Sequence, residues 1–461
     1  MPLIIAIAAV AFVAYLVAPP AFPFLQTDSM SYVNFEPMRT PGYPLFLAFV
    51  AKLFGGLQPA APIQLFAMIA SAAYLSLELR QLTHSTLLAA AALLLIVGKL
   101  FIYRYAFTIM SEALFFAALA VIVGLICRFA ARPGRGTIAA LSCAIAVCIL
   151  IRPVAYVFVP ILLLCAAVGW RRDPRPLRLA LAAALPAALV LAAGSFVYYG
   201  HHGSFRTQSF LGHNLIGKIA YLPGTDVASR YPEIDARING YMDPRRSVRI
   251  DNLSDRFLFQ ERHYDHVRYR LTTPAIERIA AETGAAADDI RKDVALAFIE
   301  AHPLAFAEEV GLQLYALWTV AELRTAADNR RFEGLLASLS FDPFKDMATP
   351  HRTPMPWPAV YGIRAFVLGI LAATLVGFIY GAVALARRRP ISPAWAALIQ
   401  ISFLLHAYIG LVALLQAGLF RYLIVLWPAI VAAAALFAHA ALGYLRSAQR
   451  RNTAGAFGQR P

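Results

Sequence analysis

The sequence predicts an all-α polytopic membrane protein with about ten transmembrane helices and a mixed external loop domain. Of its 461 residues, 60% are hydrophobic and only 15% are charged, and the mean hydropathy is +0.63. A soluble domain is about 45–50% apolar and about 25% charged. This composition excludes a soluble enzyme, a disordered chain and a disulfide-rich secreted module. Long apolar stretches and one extended polar segment are the other two observations that support this fold class.

Ten apolar stretches approach the length of a spanning helix, which needs about 17–25 mostly apolar residues. They cover residues 2–20, 62–79, 85–102, 111–127, 137–151, 153–169, 179–199, 359–386, 391–416 and 421–445. The stretch 137–151 is short, and Arg152-Pro153 leaves little room for a turn after it. A further apolar run, 43–57, is interrupted by Lys52 and predicts a helix lying at the membrane interface.

Arginines cluster between or after these stretches, at 128–135, 171–178, 387–389 and 446–460. Because Lys and Arg favour the cytoplasmic side of a membrane, both termini are predicted to be cytoplasmic. The net charge of +15 then belongs to the cytoplasmic ends of spans and indicates no nucleic-acid partner. The first stretch lacks a basic start and a clear cleavage site, so we expect it to be retained.

A polar segment, residues 200–358, divides the chain into two transmembrane modules, 1–199 and 359–461. The segment holds 19 Lys and Arg against 21 Asp and Glu, and the orientation places it outside. Acids at Asp288-Asp289 and a proline after His302 indicate a helix between them. A second helix is predicted over about 304–323 at the membrane surface, followed by a proline-rich loop at 341–358.

The four cysteines, Cys127, Cys143, Cys148 and Cys165, all lie in or at apolar stretches. They imply neither a disulfide framework nor a cysteine-based metal site. The sequence contains no P-loop and no dinucleotide-binding glycine motif. A reaction catalysed by this chain would therefore use a substrate that is already activated.

The first external loop, residues 21–61, carries the most informative motif. Asp28 is followed by Arg39-Thr-Pro-Gly-Tyr-Pro-Leu-Phe-Leu-Ala48, so that an acid, an arginine and a rigid turn lie close together. This arrangement resembles the first loop of GT-C superfamily membrane glycosyltransferases. The resemblance is to the polyprenyl-phosphate-dependent branch, which includes family 39 protein mannosyltransferases and lipid A aminoarabinose transferases. The Asp-Ser pair here differs from the Asp-Glu pair of the mannosyltransferases, which disfavours a protein acceptor.

Other segments resemble the same superfamily in order and placement. They are Ile109-Met-Ser-Glu112-Ala-Leu-Phe, Leu150-Ile-Arg-Pro153, Phe298-Ile-Glu-Ala-His-Pro303 and Arg421-Tyr-Leu-Ile-Val-Leu-Trp-Pro428. Together with the large loop after the seventh span, the resemblance extends over nearly the whole chain. The order of the motifs is a stronger signal than any one of them.

The resemblance implies an inverting transfer of a sugar from a polyprenyl-phosphate donor to an acceptor hydroxyl. The reaction would occur on the external, periplasmic face of a bacterial inner membrane. By position, Asp28 matches the general base. Glu112 would orient the acceptor or bind a metal; the alternative is an ion pair with Arg104 or Lys99. The acceptor class stays open among glycolipid, polysaccharide and protein. The resemblance implies no definite cofactor, and a divalent cation is an alternative.

Cations at the external edge are candidates for the donor phosphate, because a leaving phosphate needs positive charge. They are Arg39, Arg421, Arg206, Arg104 and Lys99; the alternative for each is a contact with lipid headgroups. Tyr43 and His213 are candidates for substrate contacts. His263 and His266 could share a helix face, but without a cysteine partner they predict no metal site.

Two other functions compete with this interpretation. Surface-polysaccharide polymerases and ligases that use lipid-linked glycans also combine ten to twelve spans with a large external loop. The chemistry of those enzymes typically uses a base and arginines in that large loop rather than an acid behind the first span. A lipid or glycan transporter would place ionisable residues or broken helices near the middle of the membrane, and the apolar stretches here hold few.

Overall fold

The computed structural model describes residues 1–20, 23–98, 103–170, 176–224, 227–345, 347, 352–387 and 390–457. Within these ranges the regular secondary structure is helical. The chain divides into two compact units. The first, called unit 1 here, comprises residues 1–208, 370–408 and 424–461, and the second, unit 2, comprises residues 209–369 and 409–423.

Among the described residues, the N-terminal part of unit 1 contains nine α-helices. They are Pro2–Val17, Ser29–Val33, Gly42–Phe54, Ala60–Thr83, Thr86–Val97, Glu112–Ala131, Arg135–Ile151, Val159–Trp170 and Pro176–His202. Short 3₁₀ helices at Arg104–Phe107 and Pro153–Phe158 connect some of them. Helices Ala60–Thr83 and Glu112–Ala131 pack along each other, and Gly124 allows this approach because a Cβ there would lie 2.6 Å from the Tyr74 ring.

The later helices complete both units. Trp357–Ala386 and Pro393–Leu415 each run through a boundary between units, Phe420–Ile424 is short, and Trp427–Phe457 follows it. Within the described residues, five helices are long and apolar enough to cross a membrane: Ala60–Thr83, Glu112–Ala131, Leu181–His202, Trp357–Ala384 and Pro393–Leu415. Exposed leucines at 181, 185 and 189 recur every fourth residue, which gives one of these helices an apolar outer face.

The structure confirms an all-helical polytopic membrane fold. Each predicted stretch coincides with an apolar helix, although several are shorter than a full span. The largest difference concerns 421–445, where Phe420–Ile424 forms its own short helix and the long helix begins at Trp427. Pro428 explains the start, because proline is favoured in the first turn of a helix.

Unit 2 is a helical assembly with its own apolar core. Its helices are Leu211–Lys218, Pro232–Arg246, Leu253–His266, Thr273–Thr283, Ala287–Ala301, Pro303–Thr319 and Ala326–Ala337. The core is formed by buried side chains from several helices, including Ile216, Ile238, Ile276 and Phe298. The helices predicted after Asp288 and over 304–323 are both present.

Candidate functional site

The first loop is held by a residue in an unusual backbone conformation. Phe35 has a φ of 47°, in the left-handed region that bulky side chains rarely adopt. Its ring is 8% exposed and packs against the rings of His201 and His202 at centroid distances of 4.9 and 5.0 Å. The Tyr198 hydroxyl donates to the Pro37 carbonyl at 2.7 Å. These contacts fix the loop on the end of helix Pro176–His202 and offset the backbone strain.

The Arg-Thr-Pro-Gly-Tyr-Pro turn docks on the end of helix Arg135–Ile151. Thr40 Oγ1 donates to the Ile151 carbonyl at 3.0 Å. A Cβ on Gly42 would lie 2.6 Å from the Leu150 carbonyl oxygen, so only glycine allows this approach. The turn motif therefore serves to place Arg39 against the rest of unit 1.

Tyr43, a predicted substrate contact, is fully buried. Its hydroxyl donates to Gln64 Oε1 at 2.8 Å, and Gln64 Nε2 donates to the carbonyls of Ala106 and Thr108. The Tyr43 ring lies in a small apolar cluster with Tyr32 and Leu47. In this structure Tyr43 therefore joins the first loop to the segment before helix Glu112–Ala131, and its side chain offers no surface to a substrate.

Asp28 and Arg39 form an ion pair, with 3.3 Å between Asp28 Oδ1 and Arg39 Nη2. The aspartate side chain is 34% exposed and the arginine side chain 15%. Arg39 Nε also donates to Ser31 Oγ at 2.8 Å and Nη1 to the Tyr32 hydroxyl at 3.0 Å. Because the guanidinium is held on three sides, it fixes the carboxylate while leaving part of it accessible.

A second ion pair lies next to the first. Arg152 Nη1 is 2.8 Å from Glu112 Oε1, and the Glu112 side chain is only 3% exposed. The two pairs are connected through Tyr32, whose hydroxyl is 2.9 Å from Ser111 Oγ. Ser29 Oγ donates to the Ile109 carbonyl at 2.9 Å, which also ties the two chain segments together. The structure thus brings Asp28, Arg39 and Glu112 into one cluster of unit 1.

The cluster is electrically balanced, with two carboxylates and two guanidiniums. Burial raises the pKa of the Tyr32 hydroxyl; Arg39 and Arg152 lower it and Glu112 raises it. Tyr32 therefore remains a neutral phenol that joins the two pairs. Among the described residues, Glu112 Oε2 is buried without a hydrogen-bond partner. Such a carboxylate oxygen can accept a proton donor that a ligand supplies.

The remaining phosphate candidates of unit 1 lie in separate contacts. Arg104 begins the 3₁₀ helix Arg104–Phe107, and Arg206 Nε donates to Ser204 Oγ at 3.0 Å. Lys99 lies outside the described residues. Glu112, for which an ion pair with Arg104 or Lys99 was the alternative, pairs with Arg152 in this structure.

Arg421 belongs to unit 2. Its Nη2 donates to the Tyr422 hydroxyl at 3.2 Å, and it lines a small cavity with Lys218 and Arg268. His213, a predicted substrate contact, is 6% exposed and stacks on Phe210 at a centroid distance of 4.7 Å. The His213 ring is therefore part of the packing of unit 2.

The side chains of His263 and His266 are engaged in contacts with neighbouring protein groups. The Tyr221 hydroxyl is 2.6 Å from His263 Nδ1, and the Pro343 carbonyl is 3.0 Å from Nε2. Burial lowers the pKa of His263 to about 4, so the ring is neutral near pH 7. His266 stacks on Tyr241 at 4.6 Å. Within the described part of the chain, no three His, Cys, Asp or Glu side chains come together as metal ligands.

Sequence reasoning did not identify four residues of these sites: Tyr32, Ser111, Lys218 and Arg268. It named Arg152 only as part of the Leu150-Ile-Arg-Pro153 segment, without its partner Glu112. Ser111-Glu112 and Arg152-Pro153 were visible as motifs, but their pairing depends on how separate helices pack. For Lys218, a lysine in an otherwise apolar run (residues 215–222), the composition of its surroundings was the available signal.

Comparisons with known proteins give one structural match. No family model and no curated protein matches the chain. Among solved structures, the chain matches the crystal structure of ArnT from Cupriavidus metallidurans bound to undecaprenyl phosphate. The identity is 14%, the match covers 89% of this chain and 76% of that chain, and the TM-score is 0.36. At this level of likeness, the function of the chain has to be argued from its own residues.

Proposed function

We propose that this chain is an inverting glycosyltransferase. It moves a sugar from a polyprenyl-phosphate donor to an acceptor hydroxyl on the external face of a bacterial inner membrane. The observation that carries the proposal is the ion pair between Asp28 and Arg39, which places a partly exposed carboxylate in a rigid frame next to a second, buried pair. A general base needs both features, because it must be accessible and correctly oriented.

In the proposed reaction, the acceptor oxygen attacks the anomeric carbon of the donor sugar. Asp28 takes the proton from that oxygen as the new carbon–oxygen bond forms. The bond between the anomeric carbon and the phosphate oxygen breaks, and its electron pair leaves with the lipid phosphate. Attack from the face opposite the phosphate inverts the anomeric configuration. The reaction needs no further reactant, since the phosphate ester already activates the sugar.

Arg39 acts in this proposal mainly as a positioning residue. Its bonds to Ser31, Tyr32 and Asp28 hold the carboxylate. The same guanidinium is ion-paired with the base, so it can also stabilise negative charge on the leaving phosphate. Arg206 and Arg104 are the further cations that we propose for the phosphate within unit 1.

Glu112 is proposed to orient the acceptor. Its Oε1 is engaged by Arg152, and its buried Oε2 is available to accept a hydroxyl hydrogen bond. This role distinguishes Glu112 from Asp28: the former binds the hydroxyl group, whereas the latter removes its proton. The exposed apolar surface of the unit 1 helices keeps the site at a membrane, where a polyprenyl chain can be accommodated.

The proposal is tested by replacing the base alone. Cells that lack the chromosomal copy are complemented with the natural chain, with Asp28→Asn or with Glu36→Gln, and their surface glycans and lipid A are measured by mass spectrometry. Asn cannot accept the proton, and general-base catalysis contributes roughly 10²–10⁴-fold. We expect Asp28→Asn cells to lose one glycan mass that the natural chain restores.

Glu36→Gln is the matched control, because Glu36 is another acid of the same loop that is outside the ion-paired cluster. We expect it to restore the mass. Immunoblots of the membrane fraction check that the three proteins are present in equal amounts. A glycan profile that is unchanged by Asp28→Asn at equal protein level would show that Asp28 is not the base.

A further inference from the structure

A basic cavity lies at the end of unit 1 that is opposite to Glu112. Its lining residues are Arg80, Gln81, His84, Thr86 and Arg132, and its volume is about 280 Å³. Arg132 directly follows helix Glu112–Ala131, which has 20 residues. At a rise of about 1.5 Å per residue, the cavity is about 30 Å from Glu112. It is therefore separated from the first-loop cluster by about the thickness of a bilayer core.

The cavity forms where helices Ala60–Thr83 and Glu112–Ala131 end side by side. The two helices pack along each other. Arg80 lies in the last turn of the first helix, and Arg132 caps the end of the second. A connection of two residues leads from the first helix to the next one, and its first residue, His84, has a φ of 54°. This short turn keeps the imidazole and the two guanidiniums around one cavity.

The positive charge at this cavity exceeds the negative charge. Within the described residues, the Arg132 guanidinium forms no hydrogen bond or ion pair, and Arg80 uses only Nε, which donates to Thr86 Oγ1 at 3.1 Å. A guanidinium has five N–H donors, so most of them remain available. Glu78 interacts electrostatically with Arg132, but it is already ion-paired with Arg128. One carboxylate thus serves several guanidiniums, which favours an anionic ligand.

An exposed apolar strip begins beside the cavity. Leu87 directly follows the lining residue Thr86, and its side chain is 81% exposed. Leu94 and Leu95 are also exposed. They follow Leu87 by seven and eight positions, so the three leucines share one face of helix Thr86–Val97. A ligand that has a charged group in the cavity and apolar chains along this face is an amphipathic lipid.

The size and charge of the cavity indicate the headgroup. One water molecule occupies about 30 Å³ in the liquid, so a cavity of about 280 Å³ has room for a phosphate and the polar group attached to it. The oxygens of a phosphodiester match the paired N–H donors of a guanidinium. A headgroup with its own ammonium would bring a further positive charge to the arginines. An anionic headgroup is therefore favoured over a zwitterionic one.

We propose that this cavity binds the phosphate of an anionic diacyl phospholipid, whose acyl chains lie along Leu87, Leu94 and Leu95. This lipid is neither donor nor acceptor in the proposed transfer, because the cavity is at the far end of unit 1 from Glu112. Its phosphate offsets the repulsion between the arginines and so stabilises the helix ends that they belong to. The inference does not rest on the proposed function, and lipid binding tests it without reference to activity.

The experiment measures lipid binding to the purified, delipidated full chain in detergent by native mass spectrometry. The probes are dioleoyl phosphatidylglycerol, which is anionic, and dioleoyl phosphatidylethanolamine, which has the same acyl chains and a zwitterionic headgroup. We expect the natural chain to bind the anionic lipid about tenfold more tightly than the zwitterionic one. Arg80→Gln/Arg132→Gln should lose this preference. Equal binding of the two lipids by the natural chain, or an unchanged preference in the variant, overturns the proposal.

Arg230→Gln/Arg249→Gln is the matched control, because it removes the same charge from two exposed arginines of unit 2. It should keep the preference of the natural chain. Arg80→Lys/Arg132→Lys retains both charges and should keep most of the preference, and thermal unfolding verifies that all variants are folded.

Two further probes distinguish this site from other phosphate sites. Undecaprenyl phosphate should bind equally to the natural chain and to Arg80→Gln/Arg132→Gln. A parallel loss of undecaprenyl phosphate would make the cavity part of the donor site and overturn the proposal. Glycerol 3-phosphate should not displace phosphatidylglycerol at equal concentration, because it lacks the chains that contact the leucines. Displacement would assign the cavity to a soluble anion and overturn the assignment to a lipid.

Discussion

The buried charges of the first-loop cluster in unit 1 are ion-paired, whereas the buried lysine at the Lys218 cavity of unit 2 is not. In unit 1, Asp28 pairs with Arg39 and Glu112 with Arg152, and Tyr32 connects the two pairs. In unit 2, Lys218 is more deeply buried than Asp28 or Arg39, and within the described residues its Nζ forms no hydrogen bond or ion pair. The charges of the first arrangement are paired, whereas the charge of Lys218 is balanced only at a distance, by Glu309.

This contrast separates two uses of charge. Paired groups offset part of each other's desolvation penalty, and their fixed geometry suits a residue that must be oriented for proton transfer. A buried amine without an ion-pair partner loses its proton more easily and destabilises the protein while it is charged. Each prediction below changes one charge or one contact that maintains the difference.

Removing one member of the buried pair in unit 1 should have the largest effect on stability. Arg152→Met leaves Glu112 with an uncompensated charge at 3% exposure. Breaking a buried ion pair in this way costs about 3–5 kcal/mol. We expect a correspondingly large fall in the thermal unfolding temperature of the purified protein in detergent. The double variant Glu112→Gln/Arg152→Met should recover most of the loss, because no charge is then left unpaired.

Arg249→Met is the control for this experiment. Arg249 also pairs with an acid, Asp251, at 3.3 Å, but the two side chains are 90% and 88% exposed. Exposed pairs contribute about 0–1 kcal/mol, so this variant should unfold close to the natural chain. Equal destabilisation by Arg152→Met and Arg249→Met would contradict the assignment of a strongly coupled pair at Glu112.

Much of unit 1 could be predicted from the sequence, because apolar length and composition dictate where helices form in a membrane protein. Asp28 and Arg39 could also be singled out, since they are only eleven positions apart and Arg39 directly precedes a distinctive turn. The pairing of Glu112 with Arg152 could not be predicted. It depends on the packing of helices Glu112–Ala131 and Arg135–Ile151, which a sequence pattern does not define.

Less of unit 2 could be predicted from the sequence. The helices after Asp288 could be predicted from acids at their start and proline at their end, whereas Leu211–Lys218 and Pro232–Arg246 carry weaker signals. Lysine is ordinarily exposed, and only the apolar run around Lys218 (residues 215–222) indicates that it is buried. Its burial depends on side chains from distant positions in the chain, such as Arg268 and Arg421.

The pH dependence of stability should reveal the unpaired lysine. Lys218 has a pKa of about 7 when folded, below its usual value of 10.5, so the unfolded chain binds more protons between these two values. Stability from this group therefore rises as the pH increases from about 7 to 10.5. Lys218→Met should stabilise the protein by a few kcal/mol at pH 6 and progressively less towards pH 10.

The charged and titratable groups near Lys218 remain in both proteins, so the difference between them isolates the lysine. These groups are Tyr264, Glu309, Glu261, Asp265, Arg268 and Arg421. The comparison uses thermal unfolding of both proteins at each pH in phosphate-free buffer, with Lys345→Met as the exposed reference. A gain that is the same at pH 6 and pH 10 would show that Lys218 does not bear a buried charge.

The smallest expected effect concerns the contact that holds the first ion pair in place. Gly42→Ala would put a Cβ 2.6 Å from the Leu150 carbonyl oxygen. Backbone lies on both sides of this contact, so the loop must shift, and overpacking of this kind costs about 1–3 kcal/mol. Gly136→Ala is the control, because open space surrounds Gly136 and alanine favours a helix. Since Arg39 precedes the turn, displacing Gly42 should also slow transfer while Asp28 itself is intact. Normal transfer by Gly42→Ala would show that the base does not depend on the docked turn, and that the other contacts of the cluster, such as those of Tyr32 and Ser31, are enough to hold it.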